Sequence, residues 1–493
     1  MRRLIRLIRN VVVLALLALG IVAGVLLFNV YTHGSRQLQV AALPRLALDE
    51  AAAAARLGDA IRFRTIADIA DPDHSADAFR GLQAHIAASF PAFHAATSRE
   101  TVGGYSLLYT WQGSDPAAKP MAVLAHQDVV PVAPGTEKDW QHPPFDGVVS
   151  DGFIWGRGSW DDKGNLYAIL EAAEALAKDG FRPRRTIYFA FGHDEEVTGM
   201  RGASAIAALL AARGVRLDFV LDEGLIITEG ILKGLNRPAA LIGVAEKGYA
   251  TFSLKAQATP GHSSMPPRDT AIGMLSAALV RLEDSRLPMR IPPTVGEMFD
   301  TLAPEMNAFN RVVLSNLWLF RPLLLREFEK TGPTEATVRT TTALTIFNAG
   351  DKDNVLPGHA EATVNFRLLP GDTQAGVVDH MRRAVNNERI VIAAAPGNTD
   401  PPPATATSTP SYRALSQTIR EVFPDAVVAP GLMVAATDSR QYVEIADNIF
   451  RFSPVRATAE DLKRFHGSNE RLSVANYGDM IRFYRRLLEN TAN

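Results

Sequence analysis

The stretch Ala122-Val123-Leu124-Ala125-His126-Gln127-Asp128-Val129-Val130 is an apolar run with one imidazole and one carboxylate near its end. A run this rich in Val and Leu reads as a buried strand of a mostly parallel sheet. In such sheets, ligands and catalytic groups gather at the carboxyl ends of strands. His126 stands at that end, where a metal ligand would stand. Asp128 follows by two and shares a strand face with it. A carboxylate beside a ligand His fixes its tautomer and raises its basicity. Alone, the pair reads better as a core His satisfied by its neighbour, so the rest of the chain has to decide.

Working outward, strands at residues 106–111, 186–191 and 219–221 alternate with helices at 51–66, 166–178 and 204–213. That alternation predicts an α/β sheet covered on both faces. Residues 131–147 form a Pro- and Gly-containing loop. Near Glu246 the pattern changes. Residues 251–256 and 360–368 alternate polar and apolar, as half-exposed antiparallel strands do. A helix at 373–385 and a strand at 389–395 follow. This predicts a smaller α+β domain inserted into the first, with a Pro-rich return linker at 398–410. Helices at 411–423 and 477–489 close the chain.

The chain has 493 residues, too many for one ordinary core. Hydrophobic residues make up 47% and charged residues 21%, a globular composition. Net charge is −2, which gives no basic footprint for nucleic acid. There is no Cys, which excludes disulfides and thiolate ligands or nucleophiles. At the N-terminus, Arg2, Arg3, Arg6 and Arg9 precede an uncharged apolar run from 11 to 28. The run is just long enough to span a bilayer. The positive-inside rule keeps the Arg cluster cytoplasmic and puts the body on the periplasmic or extracellular side. The expectation is an uncleaved signal-anchor over residues 1–35. Cleavage would instead release a secreted protein.

Four more stretches carry acids or His at predicted strand ends or turns. Gly156-Arg157-Gly158-Ser159-Trp160-Asp161-Asp162-Lys163-Gly164 is a Gly-rich turn leading into a helix, and Asp161 or Asp162 can bridge two cations. His193-Asp194-Glu195-Glu196 follows an apolar strand, so one Glu can bind metal while the other reaches a water. Leu221-Asp222-Glu223-Gly224 follows another strand. His466-Gly467-Ser468-Asn469-Glu470 lies far downstream. Each is weak alone, as a solvated turn or an acidic loop. Together they offer nitrogen and carboxylate donors without thiolate, which suits zinc, with cobalt or manganese as alternatives. Two ions sharing a carboxylate make a hydrolytic site.

This set resembles the co-catalytic zinc family that includes aminoacylase, carboxypeptidase S and glutamate carboxypeptidase. The resemblance runs from about Leu46 to the C-terminus. It is nearest to the branch that makes and hydrolyses N-fatty-acyl amino acids, which shares residues 192–196, 314–320, 340–347 and 465–470. It implies a zinc-exopeptidase-like mixed sheet flanked by helices, with an inserted two-layer, ferredoxin-like lid and dimerisation domain. The implied boundaries are 45–244 and 398–493 for the catalytic domain and 245–397 for the lid. It implies two Zn2+ per subunit. His126 and Asp222 would hold one ion, Glu196 and His466 the other, with Asp161 bridging. Asp128 would orient His126, and Glu195 would be the general base. His262, in Gly261-His262-Ser263-Ser264, would steady the oxyanion, often from a partner subunit of a homodimer. Asn354, Arg367 and Arg440 would hold the substrate backbone and carboxylate, for which the Arg fork is suited.

Residues 290–339 are long for the small domain of such enzymes, and they are rich in Leu, Val, Trp and Phe. They read either as an apolar surface for an acyl chain or a lipid, or as a helical insertion packed on its own domain. Three functions compete. The first is an amidase acting on N-acyl, in particular N-fatty-acyl, amino acids. The second is a carboxypeptidase or dipeptidase with the same metals and the same Arg grip. The third is a non-catalytic binding protein tethered to the membrane.

Overall fold

The computed structural model describes residues 2–41 and 43–493. Its centre is an eight-stranded mixed sheet. Met121–His126 lies between Ile187–Gly192 and Leu217–Thr228, parallel to both. Leu217–Thr228 then pairs in parallel with Ala446–Ala457. Ser98–Val102 and Ser106–Trp111 extend one side as antiparallel strands. Every residue of Met121–His126 is buried, because helices cover both faces of the sheet. One face packs against Glu50–Ile61, Lys163–Lys178, Pro410–Val422 and Val474–Ala492, and the other against Ala203–Ala212. Fully burying each Leu, Ile or Phe here contributes about 1.5–3 kcal/mol.

The second sheet has four antiparallel strands in the order Thr341–Ala349, His359–Leu368, Gly248–Gln257, Ile390–Ala394. Helices Ala271–Asp284 and Gln374–Val385 complete the β-α-β-β-α-β order of a ferredoxin-like unit. The period-2 pattern has a direct cause: Ala360, Ala362, Val364, Phe366 and Leu368 point to the helices and are buried. Arg367 therefore faces away from those helices.

Between strand and sheet, residues 293–336 form the helices Pro293–Leu302, Ala308–Leu314, Leu317–Phe328 and Gly332–Ala336, with a 3-10 turn at Ala303–Glu305. The insertion does not pack on the lid alone: Val295, Phe299 and Leu314 pack with Leu369 of the lid and with Leu432 on the central-sheet strand Val427–Met433. Phe309, Trp318, Leu319 and Leu323 are left exposed. The helix Arg2–Thr32 is long and apolar enough to cross a membrane by length and composition.

Candidate metal centre

The strand Met121–His126 delivers His126 to the carboxyl edge of the sheet, as its sequence predicts. Its Nδ1 is occupied: the Asp128 carbonyl lies 3.0 Å away and Asp128 Oδ1 3.3 Å away. Its Nε2 points at Asp161 Oδ1, at 3.1 Å. Asp161 turns its other oxygen to His466 Nε2, at 2.8 Å. Glu196 Oε1 lies 3.3 Å from the same nitrogen. One carboxylate thus faces two imidazoles that come from distant parts of the chain.

Asp128 does more than hold His126. Its oxygens accept the backbone N–H groups of Glu195, at 3.2 Å, and Glu196, at 3.0 Å. The Asp161 turn is fixed in turn by Glu470. That buried carboxylate accepts the N–H of Gly158 at 2.9 Å, Trp160 at 3.0 Å and Asp161 at 3.3 Å, and it is paired with Arg157. Arg157 also donates to the His466 carbonyl at 3.0 Å. This matters because His466 sits at φ 57°, a left-handed conformation that is uncommon for a residue with a side chain. Holding it there costs on the order of 1–3 kcal/mol.

At the fourth acid two neighbours compete, Asp222 and Glu223. Glu223, not Asp222, has a carboxylate oxygen within 4.8 Å of oxygens of Asp161 and Asp162. The cause is a bulge. Opposite Arg451 and Phe452 the pairing jumps from Asp222 to Leu225, with Gly224 at φ 150° against Arg451. Bulges re-aim side chains in this way beside active sites. Asp222 instead accepts the N–H of Ser439 at 2.7 Å and of Glu223 at 2.9 Å. Asp162 is likewise engaged, by the His126 N–H at 3.1 Å and by Asn165.

The turn Thr437–Arg440 is pinned from two sides. Asp222 holds Ser439, and Glu246, ion-paired with buried Arg451, accepts the Thr437 N–H at 3.2 Å. Arg440 donates to the Thr198 carbonyl at 3.1 Å. From the lid, Arg367 stacks on Tyr249 with its guanidinium 4.6 Å from the ring centre. Burial pulls its pKa down, with Arg440 adding to the effect and Glu246 and Glu195 opposing it, so these charges share one neighbourhood. Its Nη1 is buried without a hydrogen-bond partner. His262 and Asn354 lie elsewhere, exposed together at a two-stranded ribbon of the lid that joins Gly261–His262 to Val355–Leu356. His262 Nδ1 accepts the Ser264 N–H at 3.2 Å, which leaves Nε2 as the proton-bearing nitrogen of the neutral ring.

The acids are crowded. Burial pushes Glu195 well above the usual carboxylate range, with Asp438, Glu196 and Asp128 adding to it against His126. Burial does the same to Glu223, reinforced by Asp161, Asp162 and Glu195. His466 goes the other way: burial would lower it, but Asp161 and Glu196 push it up to about 10. Glu196 Oε1 is buried, with His466 Nε2 at ion-pair distance but outside hydrogen-bond geometry. A cluster that raises Glu195 and Glu223 and charges its imidazoles fits divalent cations, which would relieve both. Sequence reasoning gave no role to Glu470, Glu246 or Arg451. Glu470 fell inside the His466–Glu470 stretch singled out for chemistry, and Asp438 inside the Thr437–Arg440 stretch that the resemblance links to substrate binding.

Comparison with known proteins gives the family. Residues 122–490 match the peptidase family M20/M25/M40. The chain is 42% identical to an N-fatty-acyl-amino acid synthase/hydrolase of Xenopus tropicalis, over 88% of this chain and 85% of that protein. It is 41% identical to a probable carboxypeptidase S-like protein of Dictyostelium discoideum, over 89% of this chain and 85% of that protein. In fold it matches an M20 family metallo-carboxypeptidase from Sulfolobus solfataricus at 17% identity and a TM-score of 0.64, over 90% of this chain and all of that one.

Proposed function

The chain belongs to peptidase family M20/M25/M40, and from that premise we propose that it hydrolyses the amide bond of N-acyl amino acids, N-fatty-acyl ones in particular. One observation carries the reading: Asp161 presents an oxygen to each of His126 and His466, with Glu195 anchored beside them through Asp128. We assign His126, Asp161 and Glu223 to one cation and Asp161, Glu196 and His466 to the other, both zinc, with cobalt or manganese as substitutes. When bound, such ions polarise a carbonyl and supply a nucleophile from water.

The chain's own groups do the rest. The raised Glu195 carboxylate takes a proton from the attacking water and hands it to the leaving amide nitrogen. Arg367 and Arg440 grip the free carboxylate of the amino-acid half. Asn354 holds the substrate backbone. The Nε2–H of His262 donates to the developing oxyanion. His262 is exposed on the lid ribbon, which suits action on a partner's site in a homodimer formed through the lid. The helix Arg2–Thr32 is an uncleaved anchor that keeps the body outside the cytoplasm. A second reading, a carboxypeptidase or dipeptidase, draws on the carboxypeptidase S-like relative. Full-length protein loaded with zinc, cobalt or manganese decides between them, assayed against N-oleoyl amino acids and against dipeptides. Amino-acid release from the first set alone supports the amidase. Release from dipeptides alone replaces it with the peptidase.

A further inference from the structure

The N-terminal helix does not leave the body freely. Leu26, Asn29, Val30 and His33 form one half-buried stripe along it, and that stripe meets the helical insertion. Asn29 Nδ2 donates to Asn316 Oδ1 at 2.8 Å, and Asn316 Nδ2 donates to the Leu26 carbonyl at 3.3 Å. Arg311 donates to the carbonyls of Val30 and His33 at 3.1 and 3.3 Å, and His33 Nδ1 lies 3.1 Å from Ser315 Oγ. Asn316 is fully buried. Its remaining bonds are to the Val312 carbonyl and from the Trp318 indole N–H, at 2.9 and 3.2 Å.

These contacts fix a depth. The uncharged run 11–28 is about 27 Å long at 1.5 Å per residue, close to the ~30 Å hydrocarbon thickness of a bilayer. The polar residues Asn29, Thr32 and His33 follow at once. The outer interface therefore falls at the turn that touches Ser315 and Asn316. The helices on either side of that turn, Ala308–Leu314 and Leu317–Phe328, expose Phe309 by 72%, Trp318 by 59%, Leu323 by 54% and Leu319 by 42%. Trp318 has its indole N–H bonded and its ring outward, as side chains of interfacial aromatic belts do. Arg321 and Arg326 on the same helix make no ion pair among the described residues. Glu327, also on that helix, is paired with Lys330.

We infer that the insertion is a second membrane contact. Helices Ala308–Leu314 and Leu317–Phe328 lie in the outer headgroup layer of the bilayer that Arg2–Thr32 spans. They bury Phe309, Trp318, Leu319 and Leu323 there, with Arg321 and Arg326 toward anionic phospholipid. The inference rests on the anchor being retained. It makes the body a fixed attachment to the surface rather than a domain swinging on a tether.

The absence of Cys allows a direct test. Full-length F309C, L319C and L323C, each labelled with a polarity-sensitive nitrobenzoxadiazole probe, are reconstituted into vesicles of phosphatidylcholine and phosphatidylglycerol. V391C, on the far lid strand Ile390–Ala394, is the control. The expected result is a severalfold rise in emission with a blue shift at 309, 319 and 323, and a water-like probe at 391. R321E/R326E should weaken the rise. Carbonate extraction reads the anchor separately. Protein that resists extraction but has water-like probes at all three positions overturns the second contact and keeps the anchor. Protein released by carbonate overturns both. A blue shift that grows with protein-to-lipid ratio makes a second copy of the chain the occupant, and overturns the lipid contact.

Discussion

The backbone N–H of Glu195 donates to Asp128 Oδ1, at 3.2 Å, and that same oxygen lies 3.3 Å from His126 Nδ1. One carboxylate thereby sets the angle of an imidazole and the position of the acid proposed as the base. Asp128→Asn keeps the size but weakens the acceptor. It should lower metal affinity about 10–100-fold, the usual cost of losing a carboxylate behind a ligand His. Because Glu195 shifts too, kcat should fall even at saturating metal. Chelator competition and assays at excess zinc separate the two effects. Full activity at saturating zinc would limit Asp128 to His126.

Glu195→Gln should retain both ions and lose about 10²–10⁴-fold in kcat, the range for a general acid–base group. Metal content and turnover are measured on the same sample. Residual activity near that of the unchanged protein would move the base elsewhere.

Glu223 and Asp222 make a contrasting pair. Glu223→Gln should drop the metal content by up to one ion per chain. Asp222→Asn should leave metal content full and loosen the Thr437–Arg440 turn through the lost Ser439 bond. Its effect should be a raised KM for substrates with a free carboxylate. Metal analysis giving the reverse pattern would return Asp222 to the ligand set.

His262→Ala should cost about 10²–10³ in kcat with metal content unchanged, as the loss of an oxyanion donor does. Arg367→Ala should act mainly on KM, and less on a substrate whose carboxylate is amidated. If His262 acts across a dimer, mixing H262A with E195Q subunits should restore part of the activity. Verified mixed dimers without recovery would confine His262 to its own chain.

Metal uptake should release protons. With His466 pushed up to about 10, its imidazole is protonated at pH 7 in the cation-free protein. A ligand nitrogen must be neutral. Zinc affinity should therefore rise with pH through the neutral range. Calorimetry in buffers of different ionisation enthalpy counts the protons, and no buffer dependence would contradict the charged imidazole.

Much of this was legible in the chain, for identifiable reasons. Met121–His126 could be read because both its faces are buried, so it is apolar throughout. The lid strands could be read because one face is buried, as Phe366 beside Arg367 shows. That Glu223 comes near Asp161 while Asp222 turns to Ser439 was not legible. In a regular strand, two adjacent acids differ only in face. Here a bulge set by Arg451, more than two hundred residues downstream, turns Glu223 toward Asp161. Glu470 escaped for a similar reason, since its partners at Gly158, Trp160 and Asp161 are over three hundred residues away. The exposed Trp318 was visible as an apolar residue. Its place beside Asn29 was not, because the link runs through Asn316, a polar residue in an apolar run.

The carboxylate that faces both imidazoles has a consequence in time. Asp161 and His466 are 305 residues apart, and ribosomes add about 5–20 residues per second. The upstream half of the cluster therefore waits roughly 15–60 s for its last donor, through most of the chain's synthesis. During that interval the emerging polypeptide can fold its first strands without cutting anything. Hydrolysis begins only when the far segment has arrived, so the unfinished chain is silent.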